Sequence, residues 1–218
     1  LRLEETGLPT RYYLPKEDVR MDLLKATSFH TTCPFKGEAS YWSLDVDGVN
    51  ELVTRAPAAN RLAFTVHGLE AHAGICPERG ISAVQVASEA IAGMRLGRVD
   101  AETTANLGVM HGGLATNIVP SQVVVRGETR SLSEAKLAAQ TEHMRARFEE
   151  AAARHAVTLE GREHRARVDI QVERQYERLS IGDDAAIVHL VAEAARALGR
   201  VCPTRSTGGG SDANVFVT

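Results

Sequence analysis

The sequence predicts an α+β protein built on a four-stranded antiparallel sheet with two helices on one face. Three observations carry that expectation. Between residues 60 and 176, four segments alternate apolar and polar residues. Two further segments repeat apolar residues at helical spacing, and the six follow the order β-α-β-β-α-β. Strands with one polar face suit an antiparallel sheet whose other face is covered by both helices.

Each element has its own signal. Leu62, Phe64 and Val66 alternate with Arg61, Ala63 and Thr65 as the first strand. From Gly80, the side chains Ile81, Val84, Ala87, Ile91 and Met94 share one helical stripe, with Gly97 as the expected stop. Residues 103–110 read as the second strand and 118–130 as the third, with Pro120 marking an edge or a strand start. Ser133 is placed to cap the second helix, followed by Leu137, Gln140, Met144 and Phe148 on one stripe. Val168, Ile170 and Val172 alternate with charged and amide neighbours as the fourth strand. A last helix is expected from Asp183, with Ile187, Leu190, Val191, Ala194 and Leu198 on its apolar side and Gly199 at its end.

Composition narrows the function classes. The 218 residues hold 25 Lys and Arg against 28 Asp and Glu, a formal charge of −3. That balance lacks the basic excess of a nucleic-acid binder. No run of ~18 apolar residues is present, so no membrane span is expected. The start Leu1-Arg2-Leu3-Glu4-Glu5 lacks the apolar core of a secretory signal. Cys33, Cys76 and Cys202 have no paired or CxxC spacing, and a cytoplasmic location is the expectation. The chain is also uneven: six of its ten aromatic residues fall in the first 42 positions, whereas alanine is dense only after residue 48. The skew suggests a boundary near Gly48, with an N-terminal β-rich segment (1–47) before it; a junction (48–59), the periodic β-α-β-β-α-β unit (60–176) and a C-terminal piece (177–218) follow.

Several side chains suit binding chemistry. The run Gly208-Gly209-Gly210 permits close backbone approach, and Ser211 or Asp212 is placed to cap a following helix whose free N–H groups attract an anion. A flexible turn is the plainer reading. The Asn117 amide both donates and accepts, which suits a peptide backbone, or equally an Asx-turn. Arg130 offers a planar fork for a carboxylate, unless Glu128 occupies it. His72, flanked by Ala71 and Ala73, reads by itself as a surface residue. His143, His155, His164 and His189 are expected to face solvent.

Two family resemblances follow. Glu5-Thr6-Gly7-Leu8-Pro9, Arg11-Tyr12-Tyr13, Glu17-Asp18-Val19, Cys33-Pro34-Phe35-Lys36-Gly37 and Ala39-Ser40-Tyr41-Trp42 resemble the front half of the DUF427 family, an all-β family. Gly68-Leu69-Glu70-Ala71-His72-Ala73-Gly74, Pro77-Glu78-Arg79-Gly80-Ile81-Ser82-Ala83 and Ala115-Thr116-Asn117-Ile118-Val119-Pro120 carry a second likeness. With Gly127-Glu128, Arg130-Ser131 and the block from Gly208 to Asn214, they resemble the M20 metallopeptidases, peptidase T-like (tripeptide aminopeptidase) branch, over about 44–218.

The M20 resemblance implies a two-zinc catalytic domain interrupted by a lid or dimerisation domain of β-α-β-β-α-β order, hydrolysing short peptides or related amides. Residues 177–218 are then an incomplete α/β catalytic-domain remnant. It implies that His72 meets the developing oxyanion, that Asn117 and Arg130 hold substrate, and that Gly208, Gly209, Gly210, Ser211 and Asp212 line the cleft. It also implies a homodimer through the lid, with neither nucleic acid nor membrane as partner. The zinc ligands of that family are not found: the chain has no His-x-Asp block, and Glu149-Glu150 falls inside a helix. The chain as given is therefore expected not to hydrolyse peptides. It reads as a fragment or mosaic of such a hydrolase, or alternatively as a non-catalytic dimerisation or binding module.

Overall fold

The computed structural model describes residues 2–3, 11–12, 24–33, 37–44, 51–197, 199–211 and 213–216. They fall into two compact units, 1–50 and 51–218. In the first unit, β1 (Arg2–Leu3) pairs antiparallel with β2 (Arg11–Tyr12), and β3 (Leu24–Cys33) pairs antiparallel with β4 (Gly37–Leu44). Within the block Cys33-Pro34-Phe35-Lys36-Gly37, residues 34–36 lie outside the described residues.

The second unit runs β5 (Leu52–Ala56), β6 (Ala58–His67), α1 (Ala83–Ala92), β7 (Gly97–Arg98), β8 (Thr103–Gly112), β9 (Gln122–Ser131) and α2 (Glu134–Arg154). It continues with β10 (Ala156–Leu159), β11 (Arg162–Arg165), β12 (Arg167–Tyr176), β13 (Leu179–Ser180), α3 (Ala186–Ala197), β14 (Thr204–Ser206) and α4 (Ala213–Phe216). The main sheet has the order β12-β6-β9-β8-β7 and is antiparallel throughout. Its four long strands and two helices are the β-α-β-β-α-β unit read from periodicity.

The core lies between one face of this sheet and the two helices. Leu62, Phe64, Val66, Val123 and Val125 meet Val86, Ala87 and Ala90 of α1 and Met144, Phe148 and Ala151 of α2, all buried. Phe64 and Phe148 stack with ring centroids 4.1 Å apart, an arrangement that adds to the area they remove from water. Ser133 caps α2 as expected, its hydroxyl accepting from the Lys136 N–H, and Ser82 caps α1 through the Gln85 N–H.

Five details depart from the sequence reading. Helix α1 stops at Ala92 with Gly93 as its cap, before Gly97, because α2 captures the chain beyond it. There the Gln140 side chain donates to the Arg95 carbonyl at 2.8 Å, and His143 accepts from the Arg95 N–H at 3.1 Å. His143 is thus half-buried rather than solvent-facing. Strand β9 begins at Gln122 and sits centrally, so Pro120 precedes it in a loop and marks no edge. A hairpin, β10 and β11, lies between α2 and β12; its turn at Glu160-Gly161 has positive φ at both residues (51° and 75°), the geometry of a two-residue hairpin loop. The Ile187 and Leu190 side of α3 is 54% and 62% exposed, and only Val188 of that helix is buried.

A second sheet of order β13-β5-β14 stands beside the first. It includes residues 52–56, within the stretch read as a junction. Two adjacent crossings join the sheets, at Pro57 between β5 and β6 and at Glu177 between β12 and β13. Asn214 ties both: its amide nitrogen donates to the Pro57 carbonyl (3.1 Å) and the Glu177 carbonyl (2.7 Å), and its oxygen accepts from the Ser211 N–H. Among the described residues no helix is long and apolar enough to cross a membrane.

Candidate functional site

The chemistry-bearing residues gather at two places on the main sheet. The first is the loop pair at the N-terminal end of β9. Residues 68–76 and 113–121 are laced together: the Gly68 N–H donates to the Ser121 carbonyl, the Val119 N–H to Ala71, and the Ala73 N–H to Asn117. His72 and Ile118 form an isolated antiparallel bridge. This lacing brings His72 and Asn117 side by side, and both side chains are exposed.

His72 has a defined orientation. Its Nδ1 accepts from the Gly74 N–H at 3.1 Å. An accepting Nδ1 in a neutral imidazole leaves the proton on Nε2, where it is free to be donated outward. A cavity of about 250 Å³ adjoins the loops, lined by Glu70, His111, Leu114, Ile118, Ser121 and Gln122 among others. His111, which no sequence argument singled out, contributes to that wall. His67 is occupied elsewhere: its Nε2 lies 2.8 Å from Asp169, whose carboxyl is held below its usual range by that bond and by Arg167.

The second place is the opposite end of β9. Arg130 lies on the sheet face away from the helices. Eight residues separate Arg130 from Gln122 along β9, or about 26 Å of strand at ~3.3 Å per residue. Register explains its neighbours: Arg130 pairs with Ala59 of β6, and Ala59 pairs with Tyr176 of β12. The small, fully buried Ala59 lets the arginine and the tyrosine flank one row of the sheet. Tyr176 in turn meets the glycine loop. A Cβ on Gly210 would run into the phenol end of Tyr176, so this close contact uses the missing side chain of the glycine, and a larger residue would have to push the ring aside. The Gly209 N–H donates to Thr207 Oγ1, and Ser211 is held by Asn214.

Arg130 and the loop around Gly210 therefore share one end of the sheet, joined by Tyr176. Gly208 is exposed and nothing stands within 4 Å of where its Cβ would be. Asp212 lies outside the described residues. Tyr176 was missed in the sequence because nothing local marks it; the register of three strands places it.

Glu128 occupies the fork of Arg130, the plainer of the two readings of that arginine. The Arg130 Nη2 donates to Glu128 Oε2 at 2.9 Å, and Nε lies 2.9 Å from Oε1. The second contact is off the line of the N–H, so Nε is buried without a hydrogen-bond acceptor among the described residues. The Glu128 bond raises the arginine's proton affinity against the effect of partial burial, with Tyr176 close enough to act in the same direction. A half-buried fork paired imperfectly can exchange one carboxylate for another.

The far edge of the sheet is open. Strand β7 pairs only with Ala105 and Thr104 of β8, so on the side away from β9 residues 106–112 present an edge with no partner strand among the described residues. Val109 (52% exposed) and Met110 (45%) lie on it, followed by Leu114 (83%).

Comparison with known proteins adds the following. Residues 59–156 match the family described as peptidase dimerisation domain, and residues 1–59 match the domain of unknown function DUF427. An uncharacterised protein of Bacillus subtilis (strain 168), YqjE, is 42% identical over 180 residues, 82% of this chain and 46% of that protein. The structure of aminopeptidase PepT from Bacillus cereus is 40% identical, with a TM-score of 0.68 over 80% of this chain and 44% of its own. A tripeptidase from Staphylococcus aureus is 36% identical, with a TM-score of 0.70 over 78% of this chain and 43% of its own. The chain thus spans under half the length of these relatives.

Proposed function

Residues 59–156 are an M20 peptidase dimerisation domain of the peptidase T-like kind, behind a DUF427-like N-terminal segment, and from that premise we propose that this chain clamps short peptides between two protomers. One observation carries the reading. His72 and Asn117 stand at one end of β9 while Arg130, Tyr176 and the loop around Gly210 stand at the other, too far apart for one tripeptide to touch both. A two-fold dimer through the open edge of β8 brings unlike ends together, because the two copies of that edge strand then run antiparallel, residue i of one meeting residue j of the other and j meeting i.

In this arrangement Arg130 and the loop at Gly208–Ser211 of one protomer receive the peptide's terminal carboxylate. From the partner, Nε2 of His72 donates to the peptide carbonyl, and a fixed donor aimed at a developing oxyanion supports hydrolysis. The Asn117 amide satisfies the adjoining backbone group. The family resemblance implies zinc for the hydrolysis itself. Among the described residues no three His, Cys, Asp or Glu side chains stand together as a set that could hold a metal ion. The residues present do not fit that group, and no step is routed through it. The second reading is a binding or dimerisation module that does not itself hydrolyse peptides.

Two measurements test these readings. Sedimentation equilibrium gives a dimer for the native chain and a monomer for Val109→Lys, whose charge on the β8 edge opposes pairing; a dimer unaffected by that change contradicts the proposed interface. Zinc titration with a tripeptide substrate separates hydrolase from binding module. Tight stoichiometric zinc with chelator-sensitive cleavage supports the hydrolase, and tripeptide binding without cleavage supports the module.

A further inference from the structure

We propose that Glu128 is a displaceable latch on Arg130, so that this seat opens to ligands bearing a free carboxylate and stays shut to their neutral counterparts. The inference rests on the reading of Arg130 as a carboxylate seat and adds the group that controls it. Glu128 and Arg130 are two residues apart on β9 and share the sheet face away from the helices. The pair is incomplete, since Arg130 Nη2 is well bonded while the buried Nε has no acceptor in line. A ligand carboxylate approaching in the plane of the guanidinium satisfies both N–H groups in parallel, which the short tether of Glu128 prevents. Both partners are partly wet, with side chains 28% and 36% exposed, so exchange does not strand a dry charge.

The displaced Glu128 has somewhere to go. Arg61 of β6 is its direct cross-strand partner, and Arg126 stands two residues before it on the same face of β9. Both arginines are exposed and neither makes an ion pair among the described residues. Directly opposed side chains lie within ~5.5 Å at Cβ, well inside the reach of a glutamate and an arginine. Glu128 therefore sits between a held cation and two free ones. A ligand without a carboxylate offers Arg130 nothing in exchange, and the latch stays closed. A cavity lined by Arg98, Thr104, Asn106 and Glu128 borders the latch and gives the ligand its approach.

The test uses the full chain, with triglycine and triglycine amide as probes and calorimetric titration as the readout. Glu128→Gln keeps the shape and removes the competing charge. It is expected to bind triglycine about ten-fold more tightly than the native chain, as for a seat otherwise open one time in ten, with binding of the amide unchanged. The double variant Arg61→Gln/Arg126→Gln removes the resting places of the displaced latch. It is expected to weaken triglycine binding in the native background and to have no effect once Glu128 is Gln. Unchanged triglycine binding by Glu128→Gln, an equal gain for the amide, or no triglycine binding by that variant overturns the latch. Arg130→Gln separates this from failure of the seat. If it leaves the preference for free acid intact, the seat is elsewhere; if it abolishes the preference while Glu128→Gln fails to strengthen binding, the latch alone is wrong.

Discussion

His143 accepts a hydrogen bond from the Arg95 backbone and must be neutral to do so. Burial is the largest cause depressing its proton affinity below the ordinary value of 6.5, with Arg95 and Arg147 adding to it and Glu150 opposing. The unfolded chain therefore takes up a proton near pH 6.5 that the folded one refuses, so stability is greatest above that pH and declines as the pH falls toward the folded value. His143→Gln retains an acceptor that does not titrate. Its melting temperature is expected to change less than the native chain's between pH 7.5 and 5.5, and an identical change would contradict the assignment. Asn214 acts without charge. Asn214→Ala leaves the Pro57 and Glu177 carbonyls short of a donor in a buried place, and a loss of roughly 2–4 kcal/mol is expected in denaturant titration. His72 differs from both: it is exposed with one weak bond, so His72→Ala should alter stability by no more than about 0.5 kcal/mol. A larger loss would make His72 structural.

At the scale of elements, the strands and helices of the main sheet were legible because each buries one face, and burial imposes its period on the sequence. Phe64, Phe148 and Met144 fall where the stripes place them. Phe148→Ala removes half of the stacked pair at the centre of that layer, and urea titration should show a loss of about 3–5 kcal/mol. A loss under 1 kcal/mol would mean the layer is not the stabilising core. What stayed hidden has a physical reason in each case. The end of α1 is set by Gln140 and His143 reaching from α2, contacts that cross 45 and 48 residues. Strand β7 is too short to show a period, and the β10–β11 hairpin, with four residues in each strand, half-buries only Val157, Leu159 and His164, too few positions to stand out as a period. On α3 the opposite happened: a clear apolar stripe was legible, yet Ile187 and Leu190 of that stripe remain exposed in the structure.

For the whole molecule, the family resemblance named His72, Asn117, Arg130 and the glycine loop, but their grouping needed the fold. Register across β12, β6 and β9 assembles Arg130 with Tyr176 and Gly210, while loop lacing assembles His72 with Asn117. The length of β9 keeps the two groups apart in one chain. The central claim is that ligand binding needs both groups from different protomers, and mixing two defective chains tests it most directly. His72→Ala and Arg130→Gln are each expected to bind triglycine poorly alone. Unfolded and refolded together in equal amounts, half of the dimers pair one chain of each kind, and each such dimer contains one intact composite site. Calorimetric titration of the mixture should then recover native-affinity binding at about one site in four. No recovery in the mixture, with both single variants folded and dimeric, would contradict the shared site.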